Sequence, residues 1–449
     1  MRSFRHVATA TLALAHHALG LDITINDTAS IKAAASTIAY GMVKYYQGNE
    51  TGMIPGELGD PYYWWECGAM FNTLINYWYY TGDTTYNKIV KDGMIFQIGP
   101  DNDYMPPNQT KAEGNDDQVF WGFAAMSAAE LGFVDPPSTD PQWLALAQGV
   151  FNSQAARWDA ATCGGGLRWQ IFTWNNGYDY KNSPSNGGFF NLAARLGAYT
   201  KNQTYFDYAE KVWTWMEDDV GLIGSDYEIY DGTSIGNNCT TLDHTRWTYT
   251  QGMMLHGAAV MWNHTGSDTW RNRTQGLWNA TDTFWAEGKI MRELCEPSNN
   301  CNTDQQSFKA YLSRFAAATV KVAPWLYDTI MPYIYASATA AAQQCSGGTD
   351  GVTCGLRWTQ NTTWDGSYGV GEQMCALEVI QATMIQDVSG PVSEGNGGTS
   401  TGDPTAGTGG DDDGTTPTSI ITTADRAGAG IITAIFLIGT LGGSYWLVA

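Results

Sequence analysis

One turn pattern, written three times, constrains this chain more than any other feature. Thr81-Gly82-Asp83-x-x-Tyr86 returns as Thr200-Lys201-Asn202-x-x-Tyr205 and as Thr265-Gly266-Ser267-x-x-Trp270, each time between stretches whose apolar residues recur at three and four. Each copy reads as the joint of a helical hairpin. The turn residues end one helix, the Asp, Asn or Ser side chain caps the next, and the aromatic residue packs back on its neighbour. The copies lie about 120 and 65 residues apart, which fits a unit of about 60 with one degenerate copy near Phe133 to Trp143.

The same spacing predicts twelve helices, near 28–46, 64–80, 84–97, 116–131, 141–158, 187–199, 203–217, 247–263, 267–285, 304–320, 325–343 and 367–385. Hairpins in such a series predict an all-α closed ring, six inner helices sheathed by six outer ones, because closure removes the need for terminal caps. The helices opening at Trp64, Asp116, Gly187, Trp247, Asp304 and Tyr368 are entered through longer loops rich in Gly, Asn and Trp. These loops are expected to gather at one end of the ring. Two share wording, Thr162-Cys163-Gly-Gly-Gly-Leu167-Arg168-Trp169 and Thr353-Cys354-Gly355-Leu356-Arg357-Trp358. Binding residues belong on such loops, held by a rigid frame.

The two ends read as addresses. Arg2 and Arg5 precede an apolar run from Val7 to Leu19, the pattern of a secretory signal peptide over residues 1–20. A second apolar segment, Ala427 to Ala449, follows the polar stretch Thr415 to Arg426 and has no basic residue after it. That arrangement reads as a signal for glycosylphosphatidylinositol (GPI) attachment at Asp413 or Gly414, with 415–449 removed; an ordinary membrane span is the other reading. Residues 389–414 are Gly, Thr, Ser, Asp and Pro with almost no aromatics, the composition of a disordered spacer, which leaves 21–388 as the folded domain. An exported chain tethered by lipid to the outer face of the plasma membrane or the cell wall, acting as a monomer, is the resulting expectation.

Asp and Glu number 45 against 23 Lys and Arg, a net charge of −22, so nucleic acid is not an expected partner. Eight cysteines with no C-x-x-C spacing point to disulfides, four at most, with Cys295–Cys301 and Cys345–Cys354 the natural local pairs. Asn-x-Ser/Thr sequons stand at Asn26, Asn49, Asn108, Asn202, Asn238, Asn263, Asn272, Asn279 and Asn361, in keeping with a glycosylating export route.

Asn115-Asp116-Asp117-Gln118 opens the fourth helix. A helix cap with acidic residues on the positive end of the dipole explains it. So does chemistry. Retaining glycosidases place two carboxyl groups about 5 to 5.5 Å apart, one attacking the anomeric carbon and one protonating the leaving oxygen. Adjacent residues meet that spacing when both side chains reach past the helix end into a cavity. A helix N-terminus favours ionised carboxylates, so burial and mutual repulsion must hold the acid protonated.

Trp64, Trp65, Trp121, Trp169, Trp247 and Trp358 are expected near the mouth, where sugar rings stack on aromatics; core packing is the alternative for each. Asp231 and Asp243 precede the eighth helix and are either hydroxyl ligands or turn residues. No metal or cofactor is expected. His244, His256 and His264 have no ligand spacing, Phe120 stands where an aspartate-rich metal motif needs a further Asp, and no Gly-x-Ser-x-Gly elbow occurs.

With Trp64-Trp65-Glu66-Cys67-Gly68, Asn115-Asp116-Asp117-Gln118, Tyr180-Lys181-Asn182, Asn186 and Tyr249-Thr250-Gln251-Gly252 in place, the chain resembles glycoside hydrolase family 76 from about residue 28 to 388. Within it, the chain looks like the GPI-anchored fungal mannan endo-1,6-α-mannosidase subgroup. The resemblance implies an (α/α)6 barrel, retention of configuration, Asp116 as nucleophile and Asp117 as acid/base. It adds Asn186, Tyr249 and Gln251 to the substrate-binding candidates and matches the family's further binding carboxylate to Asp231, with Asp243 still open. Thr250 departs from the family's Tyr-Asn-Gln-Gly form. The implied donor is α-mannan or the mannose core of GPI glycans, and a β-glucan acceptor would make transfer the outcome in place of hydrolysis. A non-catalytic glycan-binding protein would use the same aromatic mouth without needing the carboxylate pair.

Overall fold

The computed structural model describes residues 20–110, 112–360 and 363–409; all but the last residue of the expected leader over 1–20, the end of the spacer and the attachment signal lie outside them. Among the described residues the chain forms α1 (Thr28–Val43), α2 (Trp64–Thr81), α3 (Asn87–Phe96), α4 (Asn115–Leu131), α5 (Trp143–Ala156), α6 (Ser183–Thr200), α7 (Gln203–Thr214), α8 (Thr248–Thr265), α9 (Asp268–Asn279), α10 (Phe308–Val322), α11 (Tyr327–Gln343) and α12 (Val370–Gln381). The even-numbered helices pack each on the next, and α12 packs on α2, closing the ring. The odd-numbered helices sheathe them, so the structure is the expected (α/α)6 barrel.

The inner helices are enclosed on every side. All residues from Gln118 to Ala129 in α4 and from Thr248 to Met261 in α8 are buried, so these helices lack a polar stripe. Neighbours come close because glycine stands at the seams. A Cβ on Gly68 would lie 2.8 Å from the Trp121 ring, and one on Gly188 would lie 2.5 Å from Val119. Where α12 meets α2, Arg314 of α10 holds Glu378 of α12 at 2.7 Å and donates to Asn72 and Thr73 of α2, while Asn76 also donates to Glu378. Losing one partner of so buried a pair costs about 3–5 kcal/mol.

The three turn copies join α2 to α3, α6 to α7 and α8 to α9. Gly82, Lys201 and Gly266 end their helices in the left-handed region at φ 77°, 60° and 62°. Asn202 and Ser267 cap the following helix with their side chains, and Tyr205 and Trp270 are buried behind it. The degenerate copy is the α4–α5 turn, where Gly132 takes φ 69° and Phe133 meets Trp143.

Several boundaries differ from expectation. α6 opens at Ser183, four residues before Gly187, because Asn182 caps it and Pro184 fits its first turn. Asp304 and Tyr368 lie just ahead of α10 and α12, in the entering loops. The α5–α6 and α7–α8 loops are joined by a small antiparallel sheet, β1 (Tyr180–Asn182), β2 (Gly232–Ser234) and β3 (Leu242–Asp243), and by the Cys163–Cys239 disulfide. Cys295–Cys301 and Cys345–Cys354 also form. The possible fourth bridge does not, since Cys67 and Cys375 are buried free thiols inside α2 and α12. The eight sequon asparagines among the described residues are all exposed.

The expected spacer is corrected over 389–409, which is strapped to the barrel. Val392 N–H donates to Glu130 O, Ser400 Oγ accepts from Leu144 N at 2.9 Å, Asp403 N donates to Gln148, Asn152 donates to the Pro404 and Ala406 carbonyls, and Gly407 N donates to Asp101 O. Small residues that cannot build a core still make this backbone-rich strap, because a groove beside α5 supplies the partners.

Candidate active site

All six inner helices point their N-termini toward the long loops, and there a cavity of about 490 Å³ opens. Asp116 and Asp117 lie on its floor, in the first turn of α4. Gly114, the N-cap, donates its N–H to Asp117 Oδ2 at 2.6 Å. Asp116 Oδ1 accepts from Asp117 N at 3.1 Å, and its Oδ2 accepts from Asn182 Nδ2 at 2.9 Å. Each carboxyl keeps a partly exposed edge on the cavity.

Position 114 measures the pair. A Cβ there would sit 2.4 Å from Asp116 Oδ1 and 2.8 Å from Asp117 Oδ2. Those two oxygens are therefore no more than about 5 Å apart, within the separation a retaining glycosidase uses. The same distances show that only glycine leaves room for both carboxyls. Trp169 O, which accepts from Asn115 N at 2.8 Å, closes the other side of the cap.

The two acids are not electrostatically equal. Burial pushes Asp116 up to about 7, opposed by the Asn182 amide and the helix N–H groups that stabilise its ionised form. Asp117 goes well above the usual carboxylate range, first through burial and then through the charge of Asp116, with Asp304 adding to it. When one of the two is ionised it is Asp116, and Asp117 carries the proton.

Two further carboxylates line the cavity. Asp231 accepts from Tyr180 Oη and Trp247 Nε1, both at 2.8 Å, and Asp304 accepts from Trp65 Nε1 at 3.0 Å. Burial raises both, against those hydrogen bonds. Trp169, Trp247, Tyr249 and Phe308 supply aromatic walls, the last two stacked at 4.0 Å. No Lys, Arg or His is among the described residues that line the cavity.

Of the sequence candidates, Asp116, Asp117, Asp231, Trp169 and Tyr249 face this cavity, as do Trp65 and Trp247. The others do not. Trp64 donates to Gln97 and stacks at 5.1 Å on Trp121, which is fully buried against Tyr104 and Phe71. Trp358 is buried beneath the Lys309 ammonium, 3.7 Å from its ring. Asn186 commits its amide to the Leu167 backbone and Asn182 O, which fixes the α5–α6 loop. Gln251 spends its own on Tyr227, Ile229 and Leu277. Asp243 is exposed and bonds Thr245, a turn residue. Thr250 is buried and donates to Trp247 O. Sequence reasoning passed over Asn182, Tyr180 and Asp304 as site residues. Asp304 carried a signal, since an inner helix is expected to open at it, as another is at Asp116.

The model of glycosyl hydrolase family 76 matches residues 30–395. The mannan endo-1,6-alpha-mannosidase DCW1 of Saccharomyces cerevisiae is 51% identical over 430 residues, covering 95% of each chain. Its Candida glabrata counterpart is 50% identical over 435 residues, covering 96% of each. The crystal structure of Dfg5 from Chaetomium thermophilum, in complex with glucosamine, superposes with a TM-score of 0.82 at 42% identity, over 86% of this chain and 97% of that one.

Proposed function

From the premise that this chain belongs to glycosyl hydrolase family 76 and is a glycoside hydrolase, we propose that it is a retaining endo-α-1,6-mannosidase or transglycosidase acting on mannan or on the mannose core of GPI glycans. The observation that carries this is the adjacent carboxyl pair, no more than about 5 Å apart at the floor of an aromatic-walled cavity. Relatives named for mannan endo-1,6-α-mannosidase activity support the linkage, and the glucosamine complex of the Dfg5 structure fits a donor in which mannose adjoins glucosamine, as it does in the GPI core.

Asp116, held ionised by Asn182 and the helix N–H groups, attacks the anomeric carbon while Asp117 gives its proton to the departing glycosidic oxygen. A glycosyl ester on Asp116 results. Asp117, now a carboxylate, takes the proton from an incoming hydroxyl whose oxygen displaces Asp116 and restores the original configuration. Water as that acceptor gives hydrolysis; a β-glucan hydroxyl gives transfer and links an anchored protein into the wall. Asp231, oriented by Tyr180 and Trp247, is placed to receive a substrate hydroxyl.

Export, lipid tethering through Asp413 or Gly414, and residence at the membrane face or wall belong to the same proposal, with one chain as the working unit. Three disulfides and the exposed sequon asparagines support export. Mass analysis of products from α-1,6-mannooligosaccharide and from a GPI-core glycan, with and without β-1,3-glucan oligosaccharide, tests the chemistry. Cleaved or transferred mannosyl products are expected; glycan binding without turnover would leave a carbohydrate-binding protein in its place.

A further inference from the structure

The strap over 389–409 decides where the chain leaves the barrel. α12 ends at the base, opposite the active-site mouth, and Val392 is still there, bonded to Glu130 near the C-terminus of α4. The strap then climbs α5, which runs from base to mouth: Ser400 meets Leu144, Asp403 meets Gln148, and Ala406 meets Asn152. Gly407 and Gly409 finish beside Asp101, in the α3–α4 loop at the mouth end. Asp103 of that loop accepts from Gln118, the residue after Asp117. The chain has thus been carried back from the base to the level of the catalytic pair. Asp413 is the fourth residue after Gly409 in the sequence, a reach of no more than about 14 Å.

A second observation points the same way. Of the ten large apolar side chains left exposed among the described residues, Val134 lies at the base and Tyr40 on the flank of α1. The other eight stand at the mouth end. Apart from Tyr63 and Trp169, which line the cavity, they are Met53, Ile54, Phe96, Trp174, Leu294 and Tyr368, exposed by 37–68%. They come from the α1–α2, α5–α6, α9–α10 and α11–α12 loops and the end of α3, whereas the base, with five shorter turns, shows one. These side chains rim the end toward which the strap carries the chain, Trp174 and Tyr368 the most exposed among them. Mixed aromatic and aliphatic side chains suit the headgroup boundary of a bilayer.

We propose that this rim is a membrane-docking face, seated on the outer leaflet that holds the chain's own tether, so that the active-site mouth opens along the bilayer surface. This rests on the lipid-anchored reading given above. Its occupant is an uncharged or zwitterionic bilayer, because a chain of net charge −22 is repelled by anionic lipid. The substrate class follows: glycans whose first sugars lie at the membrane, in preference to long chains free in the wall.

The full-length anchored protein, reconstituted into phosphatidylcholine vesicles with brominated acyl chains, provides the test. Tryptophan emission is expected to be quenched relative to unbrominated vesicles. A Trp174→Ser/Tyr368→Ser double variant should lose at least half of that quenching, and Val134→Ser should keep all of it. Turnover of soluble α-1,6-mannooligosaccharide should be equal in all three proteins, which scores folding. Equal emission in the two kinds of vesicle, or quenching indifferent to the rim substitutions, overturns the proposal. So does a double variant that loses binding to β-1,3-glucan oligosaccharide while its quenching is unchanged, since the rim then belongs to the acceptor glycan. Wild-type protein that phosphatidylinositol-specific phospholipase C fails to release from cells removes the anchor and the proposal with it. Wild type that is quenched but turns over no mannoside counts against the enzymatic reading alone.

Discussion

The two ends of this barrel solve opposite electrostatic problems. At the mouth, Asp116, Asp117, Asp231 and Asp304 share a cavity that has no basic residue among the described residues of its lining. At the base, a second cavity is lined by Arg195, Lys201, Arg314, Lys321 and His256; its carboxylate Glu130 is paired with Arg195 at 2.6 Å, and Arg314 reaches the buried Glu378 behind it at 2.7 Å. The inner helices all point one way, so their positive ends converge on the mouth and their negative ends on the base. A parallel ring therefore stabilises anions where the chemistry is and cations where the structure is pinned. The cavity carboxyls go without cationic partners because burial raises them and Asn182, Tyr180, Trp65, Trp247 and helix N–H groups donate to them.

Substitutions at the two ends should accordingly fail in different ways. At the mouth, Asp116→Asn and Asp117→Asn should each lower kcat on α-1,6-mannooligosaccharide by about 10³-fold or more, with no loss of melting temperature. A variant keeping full activity would remove the assignment. At the base, Arg314→Met should do the reverse, costing about 3 kcal/mol or more in denaturant unfolding while leaving turnover per folded molecule unchanged. Equal damage to both quantities would mean that the ends are not separable.

Asn182→Ser sharpens the contrast within the mouth. Serine retains the cap of α6 but loses the amide that donates to Asp116. Removing a donor from a carboxylate raises its pKa, so the acid limb of the kcat/KM profile should move to higher pH and kcat should fall about tenfold. An unmoved limb would assign that limb to another group. The mouth also predicts a stability trend. Burial raises Glu66 to about 9 and Glu293 and Glu372 to about 7, from 4.5. A carboxyl raised in the folded state contributes most below its unfolded pKa, and the contribution is lost as pH rises through the folded value. The melting temperature should fall between about pH 5 and pH 8. A rise would show the base pairs in control. The smallest effect belongs to the strap that joins the two ends, where Ser400→Ala should cost about 1 kcal/mol by thermal unfolding.

The ring was legible because its signals are local. Gly82, Lys201 and Gly266 announce left-handed helix ends, and apolar periodicity found each helix near its place. The place of Asp116 and Asp117 was legible for the same reason, as two charged residues at a predicted helix start. The tryptophans were not. Trp64, Trp121 and Trp169 look alike in sequence, and only tertiary packing buries Trp121 and opens Trp169 to the cavity. Asn186 and Gln251 sit near the site in sequence, yet their amides satisfy loop backbone, a demand invisible until the loops are folded. The strap was misjudged because composition reports what a segment buries, and this one is held by main-chain hydrogen bonds.

Closure of the ring between α2 and α12 also sets a clock for the growing chain. The two partners of that seam are some 300 residues apart, so no sequence of local events completes the barrel before its last helix has been synthesised. Until then Cys67 in α2 lacks the cover of α12, while other cysteines are pairing around it. In an oxidising compartment, maturation becomes a race between shutting the seam and capturing the wrong thiol.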